Sequence, residues 1–243
     1  MAANSETHQR REAPRAIRQQ DRGAISALLI DIDGTLIDSN EAHARAWADI
    51  LRAHGWTEIT WQRVLPLVGM GGDKLLPELT GVSAESAQGK KLTKERSKHF
   101  LASYAPGLRA FPKVRELMET LRARGIKRVI ATSAGEEELE VLLDAAGIAD
   151  LLTDETTKDD AGGKSKPDPN VIVAALEKAG ARADEAIMLG DTPYDIEAAT
   201  KAGVRSIALR CGGWGDEKLR GAIAIYADPA ELLERIEESP LGR

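Results

Sequence analysis

From Ala24 onward the chain alternates short apolar runs with stretches in which apolar side chains return every three or four residues. The two patterns belong to different backbones. A short unbroken apolar run suits a strand buried on both faces, whereas the longer spacing lays one stripe along a helix. Strands are therefore expected at Ile25–Ile30, Lys127–Ala131, Leu151–Thr153, Ala186–Leu189, Arg205–Leu209 and Ile223–Tyr226. Helices are expected over Glu41–His54 and along the stripe Val114, Leu117, Met118 and Leu121, which Gly125 stops. Further helices are expected at Glu136–Ala146, Asn170–Ala179, Tyr194–Ala202 and Pro229–Glu237. Strands alternating with helices predict an α/β fold, a doubly wound parallel sheet joined by right-handed crossovers.

The rhythm breaks between residues 39 and 109, where helical patterns follow one another with no convincing strand. An inserted helical unit is expected there, leaving residues 24–38 and 110–243 as the α/β core. Residues 1–23 are polar, carry scattered arginines and show no period, so they read as a disordered tail. Glu6, Glu12 and Asp21 speak against a transit peptide in that tail.

Composition narrows the function classes. A length of 243 residues fits one core domain with a modest extra module. Aromatic residues make up only 4%, so the core must be built mainly from Leu, Ile, Val and Ala. A formal net charge of -6 lacks the basic face that general nucleic-acid binding needs. No apolar stretch is long enough to span a membrane, and the N-terminus lacks the apolar centre of a secretory signal. The single cysteine, Cys211, excludes an internal disulfide and fits a reducing compartment. A cytoplasmic protein, monomer or homodimer, acting on a small molecule is the expectation.

Ligands of open α/β sheets bind beyond the carboxyl ends of the strands, and four such places carry chemistry. Asp31 and Asp33, in Asp31-Ile32-Asp33-Gly34-Thr35, follow the first strand. One carboxylate there can attack phosphorus, a second can trade protons with the leaving oxygen and with water, and Gly34 lets the backbone turn close to a ligand. Thr132-Ser133 follows the second strand, where a hydroxyl and free N–H groups suit a phosphate. Lys166, in Ser165-Lys166-Pro167-Asp168-Pro169, can neutralise a transferring phosphoryl group, with Lys164 as a competitor in the same loop. Asp191 and Asp195, in Gly190-Asp191-Thr192-Pro193-Tyr194-Asp195, can bind a hard divalent cation and orient its neighbours. Each place also has a plain reading: an Asx turn at Asp31, a capping box from Ser133 to Glu136, a solvated lysine, an Asp191 helix cap. One active site accounts for all four more economically than four separate turns.

Together these motifs resemble the haloacid dehalogenase-like hydrolases, from about Ala27 to Leu233. The resemblance implies that Asp31 is the nucleophile and Asp33 the general acid/base, and that Thr132 and Lys166 contact the phosphoryl group. It also implies that Mg2+ is held by Asp31, the backbone carbonyl of Asp33 and Asp191, with Asp195 in support. The insertion resembles the family's small helical cap. Glu41-Ala42-His43-Ala44-Arg45-Ala46-Trp47 is similar to the first cap helix of the beta-phosphoglucomutase and phosphoglycolate phosphatase branch, which makes His43 a candidate to face the site. Lys74, after the glycine-rich Gly69-Met70-Gly71-Gly72, is a candidate contact for an anionic substrate, as Gly34 and Ser133 are from the core. Gly72 falls where the mutases carry an arginine for a distal phosphate, and Asp33 is absent from the dehalogenases proper. A Schiff-base phosphonatase would need a cap lysine, and Lys74 keeps that option open. A phosphatase for a small phosphorylated metabolite, resembling those for phosphoglycolate or sugar phosphates, is the leading expectation. A sugar-phosphate mutase and a catalytically silent binding module are the alternatives.

Overall fold

Parallel strands need long return connections, and here each return carries helices that cover one face of a sheet. The computed structural model describes residues 24–242; the proposed tail at 1–23 lies outside the described residues. In chain order the elements are β1 (Ala27–Ile30), α1 (Asn40–Ala53), α2 (Trp61–Val64), α3 (Gly72–Thr80), α4 (Ala87–Ser103), α5 (Val114–Ala123), β2 (Lys127–Ala131) and α6 (Glu136–Ala146). They continue with β3 (Asp154–Thr156), α7 (Asn170–Ala179), β4 (Ala186–Gly190), α8 (Pro193–Lys201), β5 (Arg205–Leu209), α9 (Asp216–Leu219), β6 (Ala224–Tyr226) and α10 (Pro229–Glu234).

The six strands form one sheet in the order β3-β2-β1-β4-β5-β6, and every neighbouring pair is parallel. Strand order reverses beside β1, which sits between β2 and β4. That is the switch point at which doubly wound sheets open a crevice. Ile30 aligns with Ile130 on one side and Leu189 on the other, so the residues that follow these three strands emerge at one level. Alternate side chains of β1 face opposite ways. Leu28 and Ile30 join the apolar cluster of α5, α6 and α10, while Ala27 and Leu29 join that of α7 and α8.

Helices α1 to α4 leave the sheet and gather a cluster of their own around Ala44, Trp47, Leu51, Leu75, Leu76 and Leu92. The two connections to this helical unit run side by side. Asp38 N–H donates to Arg109 O at 3.1 Å and Phe111 N–H to Leu36 O at 2.9 Å. Among the described residues no helix is long and apolar enough to cross a membrane.

Two readings of the sequence need correction. The third strand is Asp154–Thr156 rather than Leu151–Thr153, because Ala149–Leu151 closes a 3-10 turn that buries Leu151 first. Neither Ser133 nor Asp191 caps a helix: Gly135 holds that place on α6 and Thr192 on α8, where Asp195 completes the capping box.

Candidate active site

The ends of β1, β2 and β4 bring Asp31, Thr132 and Asp191 together, and the loop before α7 adds Lys166. Lys166 is completely buried, an expensive place for an ammonium group unless carboxylates surround it. They do: its Nζ donates to Asp31 Oδ1 and, at 2.7 Å, to Asp195 Oδ1. Burial alone would lower the Lys166 pKa, but Asp195 and Asp31 outweigh it and raise the pKa above the usual lysine value. Lys164, the competing lysine, is exposed.

The acids nevertheless outnumber the lysine. Asp31, Asp191 and Asp195 are buried, and each offers a carboxylate oxygen within 4.8 Å of the others. Burial pushes the Asp31 carboxyl up to about 7, with Lys166 opposing and Asp195 and Asp33 adding to the rise. Asp191 is raised well above the ordinary carboxylate range by burial, then by Asp195 and Asp31. Its oxygens accept from Thr35 Oγ1 and Asn40 Nδ2, both at 2.9 Å. Asp195 is the most occupied of the group, since Thr192 N and Oγ1 also donate to it at 3.0 and 2.6 Å. A buried, oxygen-only set with surplus negative charge fits a hard divalent cation such as Mg2+.

Gly34 makes this packing possible. Its φ of +71° is a left-handed conformation, and a Cβ there would overlap Asn40 Nδ2 and Asp191 Oδ2.

Asp33 has different surroundings. Its Oδ1 accepts from Ser39 Oγ at 2.6 Å and from His43 Nε2 at 2.7 Å. Burial opposes ionisation of Asp33, but His43, Ser39 and Arg96 prevail and hold its pKa below the ordinary carboxylate value. His43 stacks on Phe100 with ring centroids 4.0 Å apart, and its Nδ1 accepts from Arg96 Nη2. Arginine only donates, so the ring must carry its hydrogen on Nε2, toward Asp33. Arg96 Nη1 in turn donates to both oxygens of Glu138, at 2.7 and 2.8 Å. A buried chain thus runs from Glu138 on α6 through Arg96 on α4 and His43 on α1 to Asp33.

A cavity of about 80 Å3 lies between the helical unit and the strand ends, with Asp31, Asp33, His43, Thr132 and Ser133 among its lining residues. Thr132 is held by accepting from Ala134 N at 3.0 Å, and Ser133 Oγ accepts from Lys166 N at 3.3 Å. Lys74 is placed elsewhere. Its Nζ donates to Ser165 O at 2.7 Å and pairs with Asp73 and Asp168, each at 3.1 Å, and it does not line the cavity. Gly34 acts through its backbone behind the carboxylates rather than at the cavity wall.

The sequence reading missed Arg96, Glu138 and Lys158, all of which line the cavity. A signal existed for the first two. Arg96 lies on the buried stripe Leu92, Arg96, Phe100 of α4, and Glu138 precedes Leu142 on that of α6. A charge on an apolar stripe asks for a buried partner.

Known proteins resemble this chain over most of its length. The model for the haloacid dehalogenase-like hydrolases matches residues 28–209. A phosphoglycolate phosphatase of Rhodospirillum rubrum is 31% identical over 215 residues, covering 85% of this chain and 88% of that protein. Among solved structures, a hydrolase from Pseudomonas syringae superposes with a TM-score of 0.79 at 30% identity, over 88% of this chain and 98% of that one. CbbY from Rhodobacter sphaeroides, solved in complex with phosphate, gives a TM-score of 0.72 at 25% identity, over 86% of this chain and 96% of that one. With its sheet order, its four strand-end motifs and a match over most of its length, the chain belongs to the haloacid dehalogenase-like hydrolases.

Proposed function

We propose that this chain is a Mg2+-dependent phosphatase that hydrolyses small phosphomonoesters, phosphoglycolate-like or sugar-phosphate-like, through an aspartyl phosphate on Asp31. The observation that carries this reading is the buried cluster of Asp31, Asp191, Asp195 and Lys166 beside a cavity lined by Asp33, Thr132 and Ser133. The phosphoglycolate phosphatase relative supports the substrate class.

Asp31, Asp191 and the backbone carbonyl of Asp33 would hold the cation, with Asp195 in support. Bound there, Mg2+ supplies positive charge to the phosphoryl oxygens and keeps the clustered carboxylates ionised. The protein's own groups account for the remaining steps. Asp31 attacks phosphorus, and the bond to the leaving oxygen breaks while Asp33 gives that oxygen a proton. Lys166 neutralises charge on the transferring group, and Thr132 and Ser133 hold its oxygens. Asp33, now ionised, takes a proton from a water that attacks phosphorus and frees Asp31. The hydrogen bonds from Ser39 and His43 favour the ionised form that this second step requires.

The helices between residues 39 and 109 serve as a cap that closes over the reaction and excludes water. Through His43, closure also orients Asp33. The mutase alternative gains nothing from Gly72, where a Cβ would already stand 2.9 Å from the Trp47 ring.

The test is phosphate release from a panel of phosphorylated metabolites, with Mg2+ and with EDTA, by the native protein and Asp31→Asn. Release that requires Mg2+ and is lost by at least a thousandfold in the variant (roughly the scale on which nucleophile loss acts) is expected. A folded native protein that releases phosphate from none of them overturns the reading.

A further inference from the structure

The cavity is also lined by a cation that the proposed chemistry does not use. Lys158 follows β3 in the chain, is half-buried and lines the cavity. Its Cε lies 3.7 Å from where a Cβ on Gly135 would stand, at the start of α6. The other cations around the site are engaged. Lys166 lies between Asp31 and Asp195, Arg96 on Glu138 and His43, and Lys74 on Asp73 and Asp168. Of the acids near Lys158 in the chain, Asp160 and Asp154 pair with Lys178 at 3.0 and 3.9 Å, and Asp159 is exposed and forms no ion pair with Lys158. Among the described residues Lys158 has no carboxylate partner.

A second cation, Arg96, also lines the cavity. Arg96 is 93% buried, its exposure being 7%, and its Nε has no hydrogen-bond partner in the structure. Glu138, which also lines the cavity, leaves the charge of Lys158 unmatched, since it is paired with Arg96.

Size limits what can occupy the space. A volume of about 80 Å3 accommodates roughly half a dozen water-sized groups, enough for a phosphoryl group and a short chain.

We propose that Lys158 is the specificity determinant for a second anionic group on a short leaving group, so that acidic phosphomonoesters are preferred over neutral ones. A carboxylate and a second phosphate share this chemistry. The proposal rests on the phosphatase reading for its setting, and it assigns to Lys158 a role in binding the part of the substrate that does not react.

The experiment compares native protein, Lys158→Gln and Lys158→Arg on three monoesters of similar length: one with a carboxylate, one with a second phosphate, one with a hydroxyl. The expected result is that Lys158→Gln lowers the acidic-to-neutral ratio of kcat/KM about tenfold, mainly through KM, as loss of one charged hydrogen bond predicts. Lys158→Arg should restore most of that ratio. The carboxylate and bisphosphate arms distinguish the two sources of the anion. In parallel, binding of the same three esters to Asp31→Asn with and without Lys158→Gln is read by thermal shift, which requires no turnover. A ratio and a binding preference that Lys158→Gln leaves unmoved overturn the proposal. Selective binding without turnover by the native protein would retain it and defeat the phosphatase reading instead.

Discussion

At the scale of single residues the site is held by close approaches that leave little room for substitution. Gly34 is the sharpest case, with its left-handed φ and with Asn40 and Asp191 where a side chain would begin. Gly34→Ala should therefore destabilise the protein by about 1–3 kcal/mol and weaken Mg2+ affinity by displacing Asp191. Urea unfolding and a Mg2+ titration read the two effects separately; a variant with native affinity would show that Asp191 does not depend on this contact. Asp31, Asp33, Asp191 and Lys166 were legible in the sequence because each follows an apolar run that had to be a strand, or sits in a loop fixed by prolines. Lys158 was not. Nothing in Thr156-Thr157-Lys158-Asp159 distinguishes a lysine facing a cavity from one facing water.

Elements are joined by side chains that sequence distance conceals. Arg96 and Glu138 lie 42 positions apart, yet they form the buried bridge between α4 and α6. Breaking one side of such a pair leaves an uncompensated charge, whereas replacing both sides with apolar groups often does not. Glu138→Gln should cost about 3–5 kcal/mol, and Arg96→Met with Glu138→Leu should recover most of it in urea unfolding. Equal losses in the single and double variants would show that packing, not charge, dominates there. The bridge also sets an acid limb of stability. Burial would raise the Glu138 pKa, but Arg96 and His43 outweigh it and bring the folded pKa below the unfolded one. Its contribution is therefore present above the unfolded value and lost as pH falls through the lower, folded one. A Glu138→Gln melting curve should be flatter on that limb. The elements the sequence revealed best are those with buried runs or full stripes, among them β2, α6, α7 and β5, whose bounds match the expectation. β3 escaped because it is an edge strand of Asp154, Glu155 and Thr156, paired with β2 alone, so polar side chains can occupy it.

For the whole molecule, the proposed site trades stability for function, and metal and pH make that visible. Buried acids whose pKa values are raised bind protons more tightly folded than unfolded. By linkage, the native state without a cation should lose stability as pH climbs from the unfolded carboxylate range toward the Asp31 value of about 7. Mg2+ binding to the same carboxylates must release those protons, so its affinity should rise over the same interval. The gain in melting temperature on adding Mg2+, measured against EDTA, is thus expected to be small near pH 5 and to grow toward pH 8. Asp191→Asn removes one of the crowded charges and keeps an acceptor for Thr35, and a flipped Asn40 amide, whose Oδ1 has no partner, can accept from the new NH2. In EDTA at pH 8 it should melt higher than the native protein, and with Mg2+ it should gain less. If the native protein instead melts at the same temperature with and without Mg2+ at pH 8, the carboxylate cluster is satisfied by Lys166 alone and is not a cation site.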